Sequence, residues 1–124
     1  MSTILLSIHP EYVRQILAGS KKFEFRRNVA KRHVDRILIY STSPEMKVVG
    51  SVSVLGVLKD TPKKLWQKTK DFSGISHGKY MEYFSKREFA YAYQLGEVTM
   101  FKEPKSLSDY GITTAPQSFA YIDA

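Results

Sequence analysis

Lys21, Glu24 and Arg26 stand within six residues of one another, in the run A-G-S-K-K-F-E-F-R-R from Ala18 to Arg27. A carboxylate flanked by cations can accept hydrogen bonds from a base edge, and the guanidinium groups of Arg26 and Arg27 can fork onto phosphate. Lys21 with Glu24 is also a candidate acid/base pair. A lysine becomes a useful base when burial or cationic neighbours disfavour its ammonium, and Lys22, Arg26 and Arg27 supply such neighbours. The same face is equally that of a solvated strand edge, where an ion pair contributes little.

Local pattern dictates how these side chains are presented. Gly19 ends an amphipathic helix, since glycine enters the left-handed region without steric cost. From there the chain alternates, with Phe23 and Phe25 on one side and Lys22, Glu24 and Arg26 on the other, which predicts a half-buried strand. Strict alternation puts Lys21 on the phenylalanine side. It joins the polar cluster only if it lies in the turn ahead of the strand.

The chain of 124 residues is 43% hydrophobic and 25% charged, enough for one domain spanning 1–124 with a single core. It has no cysteine, which excludes disulfides and thiol chemistry and fits a reducing cytoplasm. No apolar run approaches the roughly 20 residues needed to cross a bilayer. The N-terminus lacks the cationic start and long apolar stretch of a signal peptide. The net charge of +7 attracts polyanions without identifying one. His9, His33 and His77 have no metal-ligand spacing, so no metal or cofactor is expected.

Ile4 to Ile8 reads as a first strand. Pro10 opens a helix with Val13, Ile16 and Leu17 on one face and Glu11 at the favourable end of its dipole. Asn28 to Val34, with Lys31 and Arg32, is a basic loop: a solvated connection or a phosphate-facing rim. Arg36 to Ser43 is a strand stopped by Pro44, and its hydroxyl-rich end, Tyr40-Ser41-Thr42-Ser43, either satisfies nearby backbone or lines a pocket mouth. Lys47 to Leu58 is a long β-branched strand with bends or a bulge at Gly50 and Gly56, as a curved barrel requires. Thr61 and Pro62 start a helix with Leu65, Trp66 and Phe72 as its apolar side and Lys63, Lys64, Lys68 and Lys70 outside. A helix over 78–85 aligns Tyr80, Tyr83 and Phe84 as a core stripe. Glu88 to Phe101 alternates as a strand, Pro104 to Gly111 is a loop with one helical turn, and Pro116 to Ile122 is a last strand. The sum is an α+β unit of roughly five to seven strands and two or three short helices.

The motif Gly19-x-Lys21-x-x-Glu24-x-Arg26 after a short helix resembles the signature of ASCH domains, small β-barrels of the PUA-like superfamily associated with RNA. The ordered set that follows resembles one bacterial and phage-associated ASCH branch: Tyr40 to Pro44, the strand from Gly50, the tyrosines Tyr91 and Tyr93, and Pro116 to Ile122. The resemblance implies a PUA-like mixed β-barrel with a cleft between barrel and helices, walled by Gly19 to Arg26 and lined by Ser41, Ser43, Gln117 and Ser118. It implies RNA, a nucleotide or a modified nucleoside as partner. On that basis Arg26, Arg27, Lys31 and Arg32 contact phosphate, Glu24 and Gln117 read base edges, and Tyr40 or Tyr93 stacks on a base. Some relatives are described as ribonucleases. Another small group resembles an amidohydrolase acting on acetylated cytidine through a lysine, a threonine and a glutamate; Lys21 matches the lysine, and Glu24 stands at the threonine's position. The resemblance therefore leaves open a hydrolase using Lys21 and Glu24, with Arg26 and Ser118 as further cleavage candidates.

Overall fold

The structure, a computed structural model, describes residues 2–122. Its chain order is β1 (Thr3–Ile8), α1 (Pro10–Ala18), β2 (Phe23–Arg26), β3 (Arg36–Ser41), β4 (Lys47–Asp60), α2 (Pro62–Thr69), α3 (His77–Tyr83), β5 (Ala90–Lys105) and β6 (Phe119–Ile122). Short 3-10 turns cover Lys70–Phe72 and Leu107–Tyr110. The strands form one mixed sheet in the order β2-β5-β4-β3-β1-β6. Among the described residues only β1 and β3 run parallel, joined through α1 and β2. The sheet curls into a half-barrel whose end strands, β2 and β6, share no ladder.

The curl has a local cause. Register shifts in the β4–β5 ladder fall between Val48 and Gly50, between Val52 and Val54, and between Val54 and Gly56. Such bulges bend a strand and increase its twist. At Gly50 the β5 backbone comes so near that a Cβ would sit 2.5 Å from the Thr99 carbonyl oxygen.

Three apolar clusters hold the sheet. The first fills the curl: Ile4, Leu6 and Ile8 of β1, Ile37 and Ile39 of β3, Val52 and Val54 of β4, and Tyr93 and Leu95 of β5, under Val13 and Ile16 of α1. The second lies on the opposite face of β5, where Ala90, Ala92 and Phe25 meet Leu65 of α2 and Tyr80 and Phe84 at α3. The third covers the alternate residues of β1 and β3, Leu5, Leu38 and Tyr40, with Leu107, Tyr110 and Ile112 wrapped over them.

The helix starts and stops follow the expected chemistry. Thr61 Oγ1 accepts from the Lys64 N–H at 3.4 Å. Gly19 ends α1 with φ +83°. β5 runs on to Lys105, past the expected end, because β4 supplies a partner as far as Val48. Phe72 is not on the apolar side of α2: it is 46% exposed in the 3-10 turn, with Lys22 Nζ 4.5 Å from its ring centre. No helix of the described residues is long and apolar enough to cross a membrane.

Candidate functional site

The turn between α1 and β2 is tied down on both sides. The N–H groups of Ser20 and Lys21 donate to the Gln15 carbonyl, that of Lys22 donates to the Phe72 carbonyl, and the Lys22 carbonyl accepts from Leu95. Lys21 therefore lies ahead of β2, outside its alternation, and its side chain turns inward. It is 3% exposed. Its ammonium donates to the Ser73 carbonyl and stands 5.1 Å from the Tyr12 ring centre and 5.0 Å from that of Phe25, within cation–π range. Burial pushes its pKa down, Glu24 partly restores it, and Arg26 lowers it further.

Glu24 and Arg26 share one side of β2, as a period of two requires. Arg26 Nη2 and Nε donate to Glu24 Oε2 at 2.7 and 3.1 Å, and Nη2 also donates to the Ser7 carbonyl at 2.9 Å. That last bond spans the seam of the half-barrel. The β1–β6 ladder stops at Leu6 and Phe119, so the Ser7 carbonyl lies beyond it and is available to a side chain. Burial disfavours the Arg26 cation, yet contact with Glu24 outweighs this and its pKa rises. Glu24 Oε1 accepts no hydrogen bond among the described residues, and none of their fully buried side-chain polar atoms is unpaired, so Oε1 opens onto the cavity beside it.

That cavity measures about 450 Å³ and lies along the free edge of β2. Its walls come from β1 and the start of α1 (Ser7, His9, Tyr12), from β2 and its flanks (Lys21, Glu24, Phe25, Arg26, Arg27), from α3 (Lys79, Tyr83) and from Gln117 ahead of β6. Arg27 is held at the rim: Nε donates to the Tyr83 carbonyl at 2.8 Å, its N–H donates to the Tyr83 hydroxyl at 3.3 Å, and the guanidinium lies 4.3 Å from that ring's centre. Tyr12 has its phenol pKa raised, first by burial and then by Glu11 and Glu24. Lys21, Arg26, Arg27 and Lys79 face a single carboxylate, Glu24. The cavity is thus bounded by more cations than carboxylates, with aromatic rings in its walls. Among the described residues no group of three or more histidine, aspartate or glutamate side chains could hold a metal ion.

Of the candidate residues, the fold brings Lys21, Glu24, Arg26, Arg27 and Gln117 together around the cavity. Ser118 is exposed next to Gln117 but not on its wall. The rest lie elsewhere. Tyr40 packs in the third cluster against Leu5, Leu38 and Val48. Tyr93 is buried in the first, its hydroxyl accepting from the Ala30 N–H at 2.9 Å. Ser41 donates to Glu45 Oε1, and Ser43 is exposed in the turn after β3. Lys31 and Arg32 are exposed in the β2–β3 connection, and the Arg32 guanidinium sits 4.2 Å from the Tyr121 ring centre. Ser7, His9, Tyr12 and Lys79, which sequence reasoning did not single out for the site, also line the cavity, and so does Tyr83, expected in the core stripe but only partly buried against it. One signal was present: Lys79 and Tyr83 are four apart, hence neighbours on one helix face.

The chain matches the ASCH domain over residues 6–99, and it belongs to the ASCH domain family. It is 31% identical over 121 residues to a protein named ATP synthase subunit alpha from Ureaplasma parvum, and 30% identical over 121 residues to the large ribosomal subunit protein uL22 of that organism. Each match takes in 97% of this chain, which spans 15% and 39% of the length of those two relatives. It is also 30% identical over 92 residues to an ASCH domain-containing ribonuclease from Zymomonas mobilis, covering 73% of this chain and 62% of that protein. The crystal structure of ASCH from Zymomonas mobilis superposes with a TM-score of 0.89 at 26% identity, covering 98% of this chain and 87% of that one.

Proposed function

We propose that the cleft beside β2 binds one nucleotide of a single-stranded RNA. The observation that carries this reading is the surplus of four cations over one carboxylate around a cavity of about 450 Å³. Lys21, Arg27 and Lys79 offer donors to a phosphate, while Glu24 Oε1 and the Gln117 amide are free to meet polar base edges. The rings of Tyr12 and Tyr83 give a base something to stack on. A relative named as a large ribosomal subunit protein is consistent with an RNA setting.

A second reading has its own support: a relative of matching family carries the name ribonuclease. On that reading Glu24 Oε1 takes the proton of a ribose 2′-hydroxyl. The 2′-oxygen bonds to phosphorus, the bond from phosphorus to the 5′-oxygen breaks, and the Lys21 ammonium gives its proton to that oxygen. Burial makes Lys21 a stronger acid than a surface lysine, which suits the donor's role. The products are a 2′,3′-cyclic phosphate and a free 5′-hydroxyl.

The test is a fluorescence-anisotropy titration of a labelled single-stranded RNA, at low and raised salt, with wild type and with the Arg27→Ala, Lys79→Ala double variant. The reading expects binding that weakens with salt and falls in the variant. Binding that ignores both would overturn it. The same RNA on a denaturing gel, and acetylated cytidine followed by chromatography, separate binding from the two hydrolytic activities. Cleavage that persists in Lys21→Ala would remove Lys21 from the chemistry.

A further inference from the structure

Lys21 does not hold its inward position unaided. Its stem runs through space that only a glycine leaves open. Gly74 has φ +68°, and a Cβ there would stand 2.7 Å from Lys21 Cγ, 2.8 Å from Lys21 Cβ and 2.6 Å from Gln15 Oε1. The residue before it, Ser73, is buried and presents its carbonyl to the ammonium. The Ser73 hydroxyl lies 3.2 Å from the Lys70 carbonyl and 3.1 Å from that of Ile75, bracing the turn. One residue earlier, the Phe72 carbonyl accepts the Lys22 N–H at 2.9 Å. Phe72, Ser73 and Gly74 do not line the cleft themselves.

We propose that the Ser73–Gly74 turn is a positioning element for Lys21, with Gly74 leaving room for the lysine stem and Ser73 setting where its ammonium stands in the cleft. A free lysine has four rotatable bonds and disperses its charge over many rotamers. Here the backbone hydrogen bond, the two flanking rings and the gap at Gly74 select one. A group acting on a bound phosphate gains from being set in place before the ligand arrives. The consequence for RNA rests on the proposed binding in the cleft; the placement of Lys21 does not.

The test compares Gly74→Ala with Gly111→Ala in the full chain. Gly111 has φ +73°, and a Cβ there would have nothing within 4 Å, so its substitution imposes the same backbone strain with no collision. The readout is the titration of the Lys21 side chain, followed by the NMR shift of its Cε and Nζ, with amide spectra reporting the fold. Wild type and Gly111→Ala should titrate alike, below the exposed lysines. In Gly74→Ala the Lys21 titration should move up toward theirs. Ser73→Ala, which removes the brace without adding bulk, should move it the same way by less and serves if Gly74→Ala does not fold. A Lys21 titration unchanged in the folded variants overturns the proposal. RNA affinity is then read separately. It should fall about tenfold in Gly74→Ala, the order of one charge-assisted hydrogen bond, and stay level in Gly111→Ala. A displaced lysine with unchanged affinity would uphold the positioning and defeat the proposed RNA contact instead.

Discussion

Burying a lysine ammonium costs stability, and Lys21 carries that cost. Its folded pKa lies below the ordinary 10.5 because burial disfavours the charge, against the opposing pull of Glu24. Between the folded and unfolded values the unfolded chain binds more protons, so stability rises with pH across that window. Below the folded value the full penalty applies. Lys21→Met, similar in length and uncharged, should therefore be more stable than wild type near about pH 7, by about 1–2 kcal/mol. The advantage should shrink as pH approaches about 10. Urea melts of both proteins across that range check the sign, and a difference that does not vary with pH would contradict it. Arg26 behaves oppositely. Removing it strands the Glu24 carboxylate and opens the seam at Ser7, so Arg26→Ala should lose about 3–5 kcal/mol. Arg26→Lys should recover only part of this, since an ammonium cannot reproduce the fork to Glu24 and Ser7 together. Equal stability of Arg26→Lys and wild type in urea would count against the seam's dependence on that geometry.

Among the elements, the glycines of β4 separate two physical roles. A Cβ at Gly50 meets the β5 backbone, which cannot step aside, whereas one at Gly56 meets only the Gln94 side-chain oxygen at 4.0 Å. Gly50→Ala should cost about 1–3 kcal/mol. Gly56→Ala should stay within about 0.5 kcal/mol of wild type. Thermal melts of the pair decide it, and equal losses would mean the close approach at Gly50 is not what shapes the curl. From sequence both glycines read alike, as bends in a long strand, because the pattern marks where a strand is irregular but not what lies opposite. The same limit explains the tyrosines. β3 is buried on both faces, with Ile37 and Ile39 in one cluster and Leu38 and Tyr40 in another, so alternation alone could not say that Tyr40 turns from the cleft. Glu24 and Arg26 were legible because four residues of strict alternation define a side. Lys21 was legible as a turn residue because Gly19 stops the helix just before it. The cavity role of Tyr83 was not, because its bond to Arg27 joins positions 56 residues apart, and nothing local records that distance.

For the molecule as a whole, the charge of +7 was the earliest pointer toward a polyanion, but it did not say where one would bind. The fold brings Lys21, Arg26, Arg27 and Lys79 to one cavity and leaves Lys31, Arg32 and the lysines of α2 outside it. A cleft that takes one nucleotide and meets its two flanking phosphates should give an affinity whose logarithm falls with log salt at a slope of about −1.4, following roughly −0.7 per phosphate for single strands. A slope near zero would mean that apolar stacking alone supports the complex. The most direct check on RNA binding in the cleft is to map a ribonucleotide dimer onto the protein by amide chemical shifts. The cleft predicts perturbations centred on residues 21–27, on Lys79 and Tyr83, and on Gln117. Perturbations confined to the outer lysines of α2 or to the Leu107–Tyr110 turn, with Lys21 through Arg27 unmoved, would contradict it.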